Sequence, residues 1–156
     1  MPGVTVDDIT ATADVTDDTA THRLRGVEQK RGGQWVKIGR RDPVVATPGG
    51  VLKLRATLVA GGVSRVVPLT LDVPRKTTRR GYLEITGGAS SWDDGVYGAK
   101  TPAQVEQAIE DRVRNDQVAA NLYFFKRGQD TVTRAVSGAQ DLAVRGRTYA
   151  EVKVRR

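Results

Sequence analysis

Read as hydrophobic and polar positions alone, most of the chain alternates with period two. In residues 51–59, Leu52, Leu54, Ala56 and Leu58 share one parity while Lys53, Arg55 and Thr57 take the other, which is the pattern of a strand with one buried and one solvated face. Residues 63–73 return in phase through Val67, Leu69, Leu71 and Val73, and Ala60-Gly61-Gly62 between the runs predicts a tight hairpin. Pro68 removes a donor from the second run, so that strand is expected at an edge or a bulge. Arg31-Gly32-Gly33 predicts another hairpin, between residues 20–30 and 34–39, with Val36 and Ile38 inward and Trp35 half covered. A third is expected at residues 126–130, joining the apolar run 118–125 to residues 131–137. Residues 4–15 read as an edge strand that slips at Asp7-Asp8, residues 82–86 as a short strand, and residues 148–155 as a closing strand that packs through Tyr149, Ala150, Val152 and Val154.

One stretch departs from this period. Thr101 is a favourable N-cap, Pro102 suits the first helical position, and Gln104 is placed to complete a capping box. Val105, Ala108, Ile109 and Val113 then recur at helical spacing, so a helix over about residues 102–114 is expected, with Ile109 among its most buried residues. Some eight or nine strands, three hairpins and one helix predict a mainly β fold: an antiparallel, immunoglobulin-like sandwich with the helix packed at an edge or end. At 156 residues the whole chain is read as one domain, with a flexible Gly-rich segment at about 87–100.

Composition removes several function classes. There is no cysteine, hence no disulfide frame, thiolate metal site or thiol nucleophile. The apolar runs fall short of the roughly 20 residues that span a bilayer, so no membrane insertion is expected. The formal charge of +7 is uneven: residues 1–20 carry five aspartates and no Lys or Arg, whereas residues 21–41 carry seven cations against Glu28. Cross-strand pairing of these two stretches is the expectation, with a basic binding surface as the alternative.

His22 is the one histidine, and Ser64, Ser90, Ser91 and Ser137 stand in no nucleophile turn, so a structural imidazole at the surface or half-buried is expected. Asp7-Asp8 and Asp93-Asp94 lack the alternating ligands of a calcium loop, and the paired glycines are not followed by a phosphate-loop lysine; no catalytic residue, metal or cofactor is expected. The anion- or partner-binding candidates are Arg75, Lys76, Arg79 and Arg80, with Arg40 and Arg41. Trp92 and Tyr97 are candidate partner-contact aromatics in the Gly-rich segment.

The succession Gly33-Gln-Trp-Val-Lys-Ile38, Pro48-Gly-Gly-Val-Leu-Lys-Leu-Arg-Ala-Thr-Leu58, Val66-Val-Pro-Leu-Thr-Leu-Asp-Val-Pro74, Gly81-Tyr-Leu-Glu-Ile-Thr-Gly-Gly88 and Thr101-Pro-Ala-Gln-Val-Glu-Gln-Ala-Ile-Glu110 with Arg114-Asn-Asp116 resembles the β-rich C-terminal region that follows the catalytic domain in some bacterial SpoIVB-type serine peptidases. The likeness covers roughly residues 20–155. In that family the nucleophile and its base lie upstream, so the resemblance implies a noncatalytic accessory domain of an exported bacterial protein. It would act outside the cytoplasm on a protein or cell-envelope partner. The competing expectation, from charge rather than likeness, is a polyanion-binding module for nucleic acid or anionic polysaccharide.

Overall fold

The computed structural model describes residues 20–91, 99–125 and 130–155. The expected strand at 4–15, both aspartate pairs, the acidic half of the charge pairing, Trp92 and Tyr97 lie outside the described residues. So does most of the third hairpin's turn.

Two five-stranded sheets face one another. The first has the order β2 (Gln34–Ile38), β1 (His22–Arg31), β4 (Val51–Ala60), β5 (Val63–Asp72), with the short β9 (Val144–Arg145) running parallel to the start of β1. The second has the order β3 (Val44–Ala46), β10 (Arg147–Val154), β6 (Arg80–Gly87), β7 (Val118–Phe124), β8 (Thr131–Val136); its β3–β10 pair is also parallel and the remaining pairs are antiparallel. The mainly β sandwich is as the alternation predicts. Leu52, Leu54, Ala56 and Leu58 of β4 and Val67, Leu69 and Leu71 of β5 are buried against Leu83, Ile85, Leu122, Phe124 and Val152 of the other sheet. Burying each such side chain contributes about 1.5–3 kcal/mol.

Both expected Gly-Gly hairpins form, Gly32-Gly33 and Gly61-Gly62 each taking two successive positive φ angles that match the twist of the flanking strands. The β7–β8 pairing supplies the third, with Phe124 opposite Thr131. β5 does lie at an edge, which accommodates Pro68. On β2, Ile38 is buried as expected, but Val36 is 37% exposed. It sits opposite Gln29, whose buried amide bonds Val45 of β3 through both its oxygen and its nitrogen and so interrupts the apolar inner row at that end. Trp35 is half-buried on the outer face, where the Arg55 guanidinium lies 4.6 Å above its ring and is held by Glu28 at 2.6 Å.

The helix corrects two expectations. Helix α1 spans Pro102–Glu110, shorter than 102–114, and none of its residues is buried. Val105 and Ala108 are half-buried and Ile109 is 60% exposed, so the narrow apolar stripe does not dock on a sheet. Val113, beyond the helix, is the residue that is buried. The cap holds: Thr101 Oγ1 accepts from the Gln104 amide at 3.3 Å, while the Gln104 side chain reaches Lys100 N–H at 2.7 Å, one residue before the cap.

The connection between β6 and β7, of which residues 88–91 and 99–117 are described, begins and ends at a closed neck. Gly88 N–H donates to Gln117 O at 2.8 Å, Val144 N–H to Asn115 O at 2.7 Å, and Gly87 N–H to Gly146 O at 2.9 Å. A Cβ on Gly88 would fall 1.8 Å from the Arg114 carbonyl oxygen, so the neck closes only because position 88 is glycine.

Candidate binding face

Strand parity builds this surface. In β6 the inward positions are Leu83 and Ile85, which leaves Tyr82 and Glu84 on the outer face; in β10 Ala150 and Val152 turn inward, leaving Arg147, Tyr149 and Glu151 outside. Tyr149 therefore does not pack in the core as expected: it is 36% exposed and stacks on Tyr82, 39% exposed, with ring centroids 5.4 Å apart. On β7, Tyr123 lies opposite Tyr82 and stacks with Phe125 at 6.1 Å, with Phe125 60% exposed. Four aromatic rings thus share the outer face of the second sheet, continued toward its β8 edge by exposed Val132 and Val136.

Charged groups hold these rings in place. Arg147 Nη1 donates to the Tyr149 hydroxyl at 3.1 Å, its Nη2 donates to Ser90 O at 2.8 Å, and its Nε lies 3.2 Å from Glu84. The other Glu84 oxygen accepts from the Tyr123 hydroxyl at 3.3 Å. The Tyr149 bond, with the Glu84 charge, raises the Arg147 value further. Burial first, and then the Glu84 charge and hydrogen bond, push the Tyr123 phenol up, so it stays a proton donor at neutral pH. Beside the Tyr82–Tyr149 pair a hollow of about 540 Å³ is lined by Arg40, Thr148, Glu151 and Arg147.

The six cations singled out from sequence are all exposed, and the fold sends them to different places. Arg40 joins the tyrosine hollow, and Arg80 lies 3.6 Å from Glu151 at its border. Arg75 instead lays its aliphatic stem across Gly49. Arg41, Lys76 and Arg79 are solvated, Arg79 contributing its carbonyl to Val154 N–H at 3.0 Å. The tyrosine face was missed by sequence reasoning, although its signal was present: Tyr82 and Tyr149 occupy the parity of Glu84 and Glu151, not that of Leu83 and Ala150.

His22 is a structural histidine but a buried one, not at the surface or half-buried as expected, because it faces inward at the start of β1. Its Nε2 donates to Asp141 at 2.7 Å, and Asp141 is gripped from the other side by both terminal nitrogens of Arg65, at 2.9 and 3.1 Å. Those contacts, the His22 bond foremost, hold the Asp141 carboxyl below the ordinary aspartate value. Among the described residues no three His, Asp or Glu side chains converge as metal ligands, and no helix is long and apolar enough to cross a membrane. Comparison of the chain with protein-family models, with curated proteins and with solved structures finds no match.

Proposed function

We propose that this chain is a noncatalytic accessory module of an exported bacterial protein, built on an immunoglobulin-like sandwich, and that it binds a protein partner outside the cytoplasm through the outer face of its second sheet. The observation that carries this reading is the placement of Tyr82, Tyr149, Tyr123 and Phe125 with Arg147 at outward-facing strand positions. Tyrosine and arginine are the residues that dominate protein interfaces, because each offers a large contact area with a polar end. Here Glu84 and Arg147 already restrain the rings, which lowers the ordering entropy that association costs. The likeness to the region that follows a peptidase domain supports the accessory and exported parts of the reading. A polyanion module built on Arg75, Lys76, Arg79, Arg80, Arg40 and Arg41 has less support, since Arg80 faces Glu151 and Arg75 lies across Gly49.

The test is a quantitative capture from a bacterial envelope extract. It compares the wild type, the double variant Tyr82→Ser/Tyr149→Ser, and a control Lys53→Ser/Thr57→Ser on the outer face of the first sheet, each checked for folding by circular dichroism. A defined set of proteins should be retained by wild type and control and fall about tenfold in the tyrosine variant. Equal recovery by all three would sink the proposal. Sedimentation with purified peptidoglycan that depends on the same tyrosines would replace the protein partner by a glycan.

A further inference from the structure

A second hollow, of about 400 Å³, opens between the end of β1, the turn from β3 to β4, and the chain just after β10. Its walls include Gln29, Arg31, Thr47, Gly50 and Arg155, and none of its lining residues is a carboxylate. Gln29 is buried, and its amide is spent on β3, donating to Val45 O and accepting from Val45 N–H at 3.0 Å. The same amide oxygen accepts from Arg31 Nε at 2.8 Å, and Arg31 Nη2 donates to Pro43 O. The Arg31 guanidinium is therefore fixed in a half-buried position by neutral acceptors alone. Arg155 is anchored next to Thr47 through its backbone bond to Ala46 O at 2.9 Å.

This placement is electrostatically unfavourable as it stands. A partly desolvated guanidinium ordinarily has a carboxylate partner; among the described residues Arg31 makes no ion pair, and the other charged residues lining the hollow, Lys30 and Arg155, are also cations. Burial first, then the charge of Arg155, hold the Arg31 guanidinium below the ordinary arginine value, with Asp42 opposing from outside the hollow. An anion seated between the two guanidinium groups would remove that repulsion and take forked hydrogen bonds from both.

We propose that this hollow is a binding site for a small tetrahedral oxyanion, phosphate or a phosphate monoester, held by Arg31 and Arg155 with the Thr47 hydroxyl at its rim. The site is separate from the tyrosine face and does not depend on the function proposed for it. Chemistry selects the ligand class: two guanidinium forks match phosphate oxygens, and a hollow of about 400 Å³ leaves room for a substituent esterified to the phosphate.

The experiment is a titration of the full chain with sodium phosphate, followed by backbone amide NMR shifts and repeated with sodium chloride at matched ionic strength. Saturable shifts confined to residues 29–31, 45–51 and 155, half-complete below roughly 10 mM phosphate, are expected. The variant Arg155→Gln should weaken binding roughly tenfold, because it removes one of the two forks. Arg31→Gln is less informative alone, since Arg31 also ties down Pro43 O. A double Arg40→Gln/Arg41→Gln control of greater charge loss should leave binding unchanged. Glycerol phosphate binding more tightly than inorganic phosphate would mark the site as one for an esterified ligand, and equal binding as one for the free ion. Shifts reproduced by chloride, or an undiminished response in Arg155→Gln, would overturn the proposal.

Discussion

The closed neck of the β6–β7 connection makes Gly88→Ala the sharpest probe of the fold. A Cβ at position 88 would stand 1.8 Å from the Arg114 carbonyl oxygen, 2.6 Å from its carbon and 3.1 Å from Asn115 Cα. All three are backbone atoms, so no side-chain rotation relieves the overlap and the two sides of the neck must part. Parting them breaks the Gly88–Gln117 bond and strains the Asn115–Val144 and Gly87–Gly146 bonds beside it. At about 1 kcal/mol each, these three account for about 3 kcal/mol, and loosened packing at buried Val118 and Val144 adds to it. Against a total stability of about 5–15 kcal/mol that is a large fraction. With a urea slope of about 1–3 kcal/mol/M, the unfolding midpoint should fall by roughly 1–3 M. Gly138→Ala is the matched control, because a Cβ there meets nothing within 4 Å and the backbone is not left-handed; it should stay within about 1 kcal/mol of wild type. Equilibrium urea unfolding followed by tryptophan fluorescence gives both numbers. A Gly88→Ala midpoint equal to that of Gly138→Ala would refute the neck as described.

The exposed helix leads to a second outcome: Ile109→Ala should change stability by less than about 0.5 kcal/mol, whereas Ile85→Ala, fully buried between the sheets, should cost about 2–5 kcal/mol in the same assay. A third concerns acid. Because the folded Asp141 value is depressed, its contribution is present above the ordinary aspartate range and disappears as the pH falls through the folded value. The midpoint gap between wild type and Asp141→Asn should therefore be largest near neutrality and close as the pH falls through the ordinary aspartate range and below it; a gap that does not narrow would assign the effect to something other than the carboxylate.

Where one run of residues decides its own structure, the sequence was readable. The parity of residues 51–59 and 63–73 about the Gly61-Gly62 turn leaves a single register in which every leucine is inside, so β4 and β5 could be written down with their faces. Pro68 named the edge for the same local reason. The helix was legible as a helix through Thr101 and Pro102, but its partner was not, since an apolar stripe states only that a surface is available. The neck at the base of the helix-bearing connection was equally unreadable, because it is made by contacts of Gly88 with residues 114–117 that no local pattern announces. The tyrosine face was partly legible: the parity was there, but an aromatic at a polar position also reads as a packing residue, as Tyr149 did. The hollow of Arg31 and Arg155 was hidden, since its two arginines lie far apart in the sequence and meet through the β3–β10 pairing.

The two parallel pairings, His22 with Val144 and Val44 with Val152, join strands that lie more than a hundred residues apart in the chain. Contacts of such separation are slow to form, because a long loop must close before any stabilising bond rewards it. As the chain emerges during synthesis, the β1–β2 and β4–β5 hairpins are complete before the second sheet that covers them exists, and β10, which joins that sheet's β6 and β3, arrives last. The apolar faces of β1 and β4 must wait in water, where they are open to association with other nascent chains. Closure of this sandwich is thus a late event governed by its last two strands, and its yield in a cell should be set by how quickly those strands arrive.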